Sequence, residues 1–298
     1  MIYDVVIIGL GASGVAASIY AKRSGLNVAV INYSTPGGII NESSIVENYP
    51  GFKSISGPDL AFNFFEHFNS LGVPLFNEEV IDIIDGENKK VITSNNEYLA
   101  KNVIICSGRK PRKLGIENED KYFGKGISYC TLCDGNLYKG KTVCVVGGGN
   151  SALESILYLA DISKKVYLLV RSNRFIADAS LVEKAKNKEN IEILMETKVE
   201  NLSIEDDKIV GVKTNNSELE IDGIFVNIGY EPSIGILKSL DLEMHRNYII
   251  VDKNMETSVK GIYACGDIIK KDLYQLVTAV SEGAIAATSI YNNLKYQK

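Results

Sequence analysis

The sequence predicts an α/β fold in which one strand–turn–helix–strand design occurs twice. Three observations carry the prediction. Short apolar runs at residues 4–8 and 142–146 have the character of buried parallel strands. Each leads into a glycine-rich turn, Gly9-Leu10-Gly11-Ala12-Ser13-Gly14 in one case and Gly147-Gly148-Gly149-Asn150-Ser151-Ala152 in the other. Each turn opens a helix-like stretch of small and apolar residues, followed by a second strand-like run. Positions 9, 11 and 14 map onto 147, 149 and 152 at a constant offset of 138 residues.

In the first copy, residues 15–24 are expected to form the helix, with Gly25 as its C-terminal stop, and residues 28–31 the second strand. In the second copy the helix is expected over 153–161 and the strand over 166–170. Residues 91–93 and 103–105 read as strands between the copies, the latter ending at Cys106-Ser107-Gly108, and residues 221–229 read as a strand after the second copy. The chemistry of the turn explains its residues. The first glycine permits a tight turn, the second lets a pyrophosphate approach the backbone, and the third position must be small for helix and strand to pack. The helix N-terminus then offers free N–H groups to phosphate. One such fingerprint is weak; two, each between a strand and a helix, point to two Rossmann-like dinucleotide sites.

Composition narrows the function classes. The chain has 298 residues, 45% hydrophobic and 23% charged, an ordinary globular mix of a size for about two domains. With 32 basic and 37 acidic residues the net charge is −5, which disfavours a nucleic-acid binder. No apolar stretch is long enough to span a bilayer, and the first residues lack a signal peptide's pattern, so a cytoplasmic protein without membrane contact is expected. Five Cys and two separated His, His67 and His245, argue against a disulfide framework and a metal site.

Cys130-Thr131-Leu132-Cys133, followed by Asp134, could be a zinc half-site, a buried thiol pair or a redox dithiol. Zinc would need a second ligand pair, whereas Cys106, Cys144 and Cys265 are single and neither His neighbours them in sequence. Redox chemistry is favoured, because thiols two residues apart can close and reopen a small disulfide. Asp134 is the natural proton donor, its plain reading being a turn or helix cap. Cys106 and Cys144 read as core residues, and Cys265 as small-residue packing. Phe62, Phe64, Phe65 and Phe68 read as core or a dimer interface, since no basic field accompanies them.

Taken together, Gly9-x-Gly11-x-x-Gly14, Gly37-Gly38, Val46-Glu47-Asn48-Tyr49-Pro50-Gly51, Cys130-x-x-Cys133-Asp134, the second glycine turn and Gly261-Ile262-Tyr263-Ala264-Cys265-Gly266-Asp267 closely resemble the low-molecular-weight thioredoxin reductases over essentially the full chain. The resemblance implies two three-layer ββα domains, the second inserted into the first. Residues 1–113 plus 243–298 would bind FAD and residues 114–242 the pyridine nucleotide. It implies FAD contacts at Gly9, Gly11, Ala12, Ser13, Gly14, Gly38, Asn48, Val80, Ser107, Gly108, Gly266, Asp267, Gln275 and Leu276. It implies NADPH contacts at Gly147, Gly149, Asn150, Ser151, Glu154, Arg171, Arg174, Ile228 and Gly229. In the implied reaction two electrons pass from NAD(P)H through FAD to the Cys130–Cys133 disulfide and on to thioredoxin or a thioredoxin-like protein. Cys133 would face the flavin, Cys130 would attack the partner's disulfide, and Asp134 would act as acid. A homodimer, and rotation of the inserted domain about connectors near 111–116 and 241–245, are implied as well.

Three departures qualify the resemblance. The strand after the first glycine turn ends at Asn32 with no carboxylate nearby for the adenosine ribose. The family's Gly-Gly-Gln-Leu is here Gly37-Gly38-Ile39-Ile40. The family's His-Arg-Arg-x-x-x-Arg becomes Val170-Arg171-Ser172-Asn173-Arg174-Phe175-Ile176, leaving Arg171 in register and Arg174 as an extra candidate for the 2′-phosphate. NADPH is the first expectation, with NADH, ferredoxin or a deazaflavin as alternative donors. A small-molecule dithiol oxidase and a non-catalytic redox sensor are the rival readings.

Overall fold

The computed structural model of the chain describes residues 1–43 and 45–296 and divides into two compact units. The first comprises Met1–Lys110 and Pro232–Lys298, the second Pro111–Glu231. The expected boundaries were 113 and 243. Residues 232–242 instead belong to the first unit, because Leu237 and Leu240 are buried with Ile83, Val91 and Ile249 in its core. Burying these apolar side chains fixes where the chain returns.

The first unit is built on a seven-stranded sheet. Its centre is Ile2–Ile8, parallel to Val28–Ile31 on one side and to Glu97–Ile105 on the other. The strand Glu97–Ile105 changes partner along its length. Its first half pairs antiparallel with Lys89–Thr93, and its second half pairs parallel with Ile262–Ala264. Alternation sorts the side chains of the central strand. Val5 and Ile7 join the helices Ala12–Arg23 and Leu276–Tyr296 in one cluster, while Val6 and Ile8 face Val80, Ile83 and Val91 in another.

The two helices of the first cluster approach closely at Gly283. A Cβ there would overlap the Ser13 carbonyl oxygen and lie 3.1 Å from the Ala17 nitrogen. Backbone cannot yield as a flexible side chain can. Gly283→Ala is expected to destabilise the protein by about 2 kcal/mol or more, seen as a lower midpoint in thermal or urea unfolding.

The second unit is layered in the same way. Five parallel strands run in the order Ile191–Met195, Lys165–Val170, Thr142–Val146, Gly223–Val226, Ile127–Ser128. Val143 and Val145 pack toward the helix Asn150–Ile162. Cys144 and Val146 pack toward a three-stranded antiparallel sheet, Val199–Glu205, Lys208–Thr214 and Glu218–Glu220. Each unit is thus an α/β domain with a parallel sheet at its heart, and the glycine turns join Ile2–Ile8 to the helix Ala12–Arg23 and Thr142–Val146 to the helix Asn150–Ile162. Both helices begin three residues earlier than expected, at Ala12 and Asn150, because Gly11 and Gly149 themselves are the N-caps.

Candidate active site

The first glycine turn is held by backbone, not by side chains. Gly9 has φ +99°, a conformation open to glycine, and a Cβ there would stand 2.5 Å from the Cys106 carbonyl oxygen. A Cβ on Gly14 would overlap the carbonyl oxygen of Gly9. The helix that follows has no side-chain cap at Gly11, so its N-terminal N–H groups are left for another acceptor. Asn32, at the strand end where a carboxylate was sought, accepts the Leu10 N–H on Oδ1 at 3.0 Å and so holds the turn itself.

Two other expected FAD residues, Gly38 and Gly266, lie against this turn. Gly37 donates its N–H to the Leu10 carbonyl at 2.8 Å, and a Cβ on Gly38 would come 3.8 Å from the Gly11 Cα. Gly266 lies against Ser13, whose hydroxyl oxygen would be 2.5 Å from a Cβ placed there. Asn48 Nδ2 donates to Gln275 Oε1 at 3.1 Å, joining two more of the set. Ser107 Oγ donates to the Ser233 carbonyl at 3.1 Å. Leu276 begins the long C-terminal helix. Val80 is buried beside Ile8 and Ile31 in the second cluster.

Asp267 has company that the sequence did not announce. Arg109 Nη2 and Nε donate to its Oδ2 at 2.6 and 3.1 Å, and Lys271 Nζ is 3.4 Å from Oδ1. Lys271 also pairs with Glu282 at 2.9 Å, and Glu282 accepts the Gly266 N–H at 2.8 Å. Burial raises the Glu282 carboxyl above its ordinary range, with Lys271 opposing. The network fixes the Gly266-Asp267 corner. Arg109 was legible only as a charged residue just after Ser107-Gly108; its partner is far away in sequence.

The second turn repeats the design. Gly147 has φ +153°, and a Cβ there would overlap the Asn227 carbonyl oxygen. The helix from Asn150 has no side-chain cap at Gly149. Asn227 Oδ1 is buried without a hydrogen-bond partner among the described residues. Asn150 exchanges two hydrogen bonds with Asp178, at 2.9 and 2.8 Å, which pins the loop after Lys165–Val170 against the helix start. Glu154 is raised by burial and by the Asp178 charge. Ser151, Arg171 and Arg174 are exposed, Ile228 is half-buried and Gly229 is exposed with φ +93°. Ile176, where the family pattern has its last arginine, places its side chain 3.8 Å from a Cβ on Gly149.

In the same unit, Cys130 and Cys133 form a disulfide. Ser128 Oγ accepts the Cys130 N–H at 3.1 Å, and the Cys133 N–H points at Cys130 Sγ at 3.2 Å. Thr131 Oγ1 donates to Ser155 Oγ at 2.9 Å, tying the disulfide turn to the helix of the second glycine motif. Cys133 is exposed and Cys130 half-buried. The Asp134 side chain does not cap the turn that follows it, which weakens the capping reading. Among the described residues no cluster of His, Cys, Asp and Glu could hold a metal ion, and no helix is long and apolar enough to cross a membrane.

Two glycine cradles that a single Cβ would fill, each under an uncapped helix start, and a closed disulfide beside one of them, define a two-dinucleotide disulfide oxidoreductase. Residues 3–283 match the pyridine nucleotide-disulphide oxidoreductase family. The chain is 42% identical to the thioredoxin reductase of Mycoplasma genitalium, over 99% of this chain and 96% of that one. The crystal structure of Lactococcus lactis thioredoxin reductase matches with a TM-score of 0.89 at 35% identity, covering 99% of both chains. A ferredoxin-flavin thioredoxin reductase from Clostridium acetobutylicum matches with a TM-score of 0.56 at 33% identity, also over 99% of both. The chain belongs to the pyridine nucleotide-disulphide oxidoreductases and, within them, to the flavoprotein thioredoxin reductases.

Proposed function

We propose that the chain reduces the disulfide of a thioredoxin or thioredoxin-like protein, as a cytoplasmic homodimer, with NADPH as electron donor. The observation that carries this reading is the closed Cys130–Cys133 pair, tethered to the helix of the second glycine cradle. The first cradle, from Gly9 to Gly14 with Gly38, Ser107, Gly108, Gly266 and Gln275, would hold FAD, and its fit rests on the space and uncapped N–H groups described above. When bound, FAD supplies the two-electron relay between a nicotinamide and the disulfide.

The protein's own residues do the sulfur chemistry. Two electrons open the Cys130–Cys133 bond and leave two sulfurs. The Cys133 N–H directed at Cys130 Sγ favours negative charge on that sulfur, so Cys130 is the attacking thiolate. It displaces one sulfur of the partner's disulfide, and the Asp134 carboxyl, in the same turn, protonates the sulfur that leaves. Cys133 then attacks Cys130 Sγ, re-forming the internal disulfide and releasing the partner as a dithiol. The exposed apolar residues Phe62 and Ile45 supply surface of the kind a homodimer buries.

Thioredoxin-dependent oxidation of NADPH by the FAD-loaded protein tests the reading; no turnover with any thioredoxin would reject it. Arg171→Ala is expected to raise the KM for NADPH by about 10-fold while leaving the KM for NADH nearly unchanged, because a charge-assisted contact to the 2′-phosphate is lost. An equal effect on both nucleotides would remove Arg171 from phosphate recognition. The likeness to a ferredoxin-flavin enzyme supports a second donor reading, distinguished by turnover with reduced ferredoxin and none with either nucleotide.

A further inference from the structure

Behind the first glycine cradle lies a second pair of cysteines that the proposed reaction does not use. Cys106 follows the strand Glu97–Ile105, and Cys265 follows Ile262–Ala264. The two strands pair in parallel, Ala264 beside Ile105, and the Cys265 N–H donates to the Ile105 carbonyl at 3.0 Å. The next residue of each strand is therefore a cysteine at the same level. Both side chains join the same cluster, and their sulfurs are 3.3 Å apart.

Adjacent strands in register bring two Cα atoms within the range a disulfide spans. The sulfurs already face one another, so bonding requires a small closing movement rather than a rearrangement of backbone. Cys144 provides the contrast: it is also fully buried, and among the described residues no hydrogen-bond contact of its sulfur with another sulfur is seen.

We propose that Cys106 and Cys265 are a second oxidisable dithiol, closed to a buried disulfide by a small hydroperoxide. One sulfur attacks the O–O bond, becoming a sulfenic acid as the alcohol, or water from hydrogen peroxide, departs. The second thiol displaces the hydroxyl as water, and the S–S bond forms. Overall two thiols and one hydroperoxide give one disulfide, one alcohol and one water. The hydrogen bond shared with Cys106 and burial both push the Cys265 thiol well above its usual range, so the reaction is slow and the closed form is sheltered from large reductants. The segments immediately after the two cysteines are Ser107-Gly108 and Gly266-Asp267. Closing the bond staples together two strand ends that enter the first cradle, and the chemistry does not depend on the identity of the protein partner.

The test uses the FAD-loaded protein with its Cys130–Cys133 bond closed. It is treated with hydrogen peroxide, then denatured and alkylated without reduction, and the peptides are mapped by mass. Three thiols are free before treatment. The expected result is loss of two of them, with Cys106 and Cys265 peptides joined by a disulfide and Cys144 still alkylated. Cys265→Ala and Cys106→Ala are expected to keep turnover and to yield no such linkage. Free thiols at both positions after treatment, oxidation to separate sulfinic or sulfonic acids, or equal oxidation of Cys144 would each overturn the proposal. Should either variant fail to fold, the Cys144 comparison within the unsubstituted protein still decides.

Discussion

Cys130→Ser and Cys133→Ser are each expected to lower thioredoxin-dependent turnover by about 10³-fold or more, because neither sulfur can be replaced by a neighbouring group in this chain. Oxygen cannot take part in the S–S exchange, and Cys106, Cys144 and Cys265 are buried elsewhere in the fold. The two variants should fail differently. With Cys130 retained in Cys133→Ser, a mixed disulfide with thioredoxin forms and persists, since no second sulfur resolves it. With Cys130 absent, no mixed disulfide forms. Insulin reduction measures the loss, and non-reducing electrophoresis separates the two failures. The fold should survive both changes, because the disulfide closes a loop of only two intervening residues and so removes little unfolded-state freedom. Trapping with the roles reversed would exchange the assignments of Cys130 and Cys133.

Gly14→Ala is expected to cost roughly 3 kcal/mol or more of stability and to lower FAD retention by at least about 10-fold. The added methyl group would overlap the Gly9 carbonyl oxygen, and the nearest alternative space is occupied by the Cys106 Cβ at 3.5 Å. Gly9 cannot withdraw, since its own position is set by the Cys106 carbonyl and by its N–H bond to Ile31 at 2.9 Å. The second unit shows why the contrast is informative. Its equivalent position is already Ala152, whose Cβ would meet a Cβ on Gly147 at 2.8 Å but tolerates the glycine present. Absorbance of the flavin after gel filtration, set against the urea midpoint, separates cofactor loss from unfolding. Full retention of both would mean that the turn relaxes in a way its backbone contacts oppose.

Much of this was legible in residue order. The two glycine turns and their flanking strands are local patterns, and Gly14 is constrained by the nearby Gly9 carbonyl, whereas Gly9 and Gly147 are closed in by the distant carbonyls of Cys106 and Asn227. The Cys130-x-x-Cys133 spacing likewise fixes its own ring. What escaped the sequence depends on residues brought together by folding. Arg109 and Asp267 are 158 positions apart, as deduced from neither periodicity nor spacing. Asn32 was noted for the carboxylate it lacks, whereas its amide oxygen is what holds Leu10. The pairing of Cys106 with Cys265 depends on the register of two strands far apart in the chain, and each alone read as core. The return crossing was misplaced for the same reason: Leu237 and Leu240 reveal their unit only through the core they enter.

In the proposed reaction, electrons from a nicotinamide open the Cys130–Cys133 bond. Anaerobic incubation of the FAD-loaded protein with NADPH, quenched with an alkylating reagent and mapped by mass, measures it directly. Cys130 and Cys133 are expected to become alkylated with NADPH and to stay disulfide-bonded without it or without FAD. A disulfide still intact while thioredoxin is being reduced would contradict it.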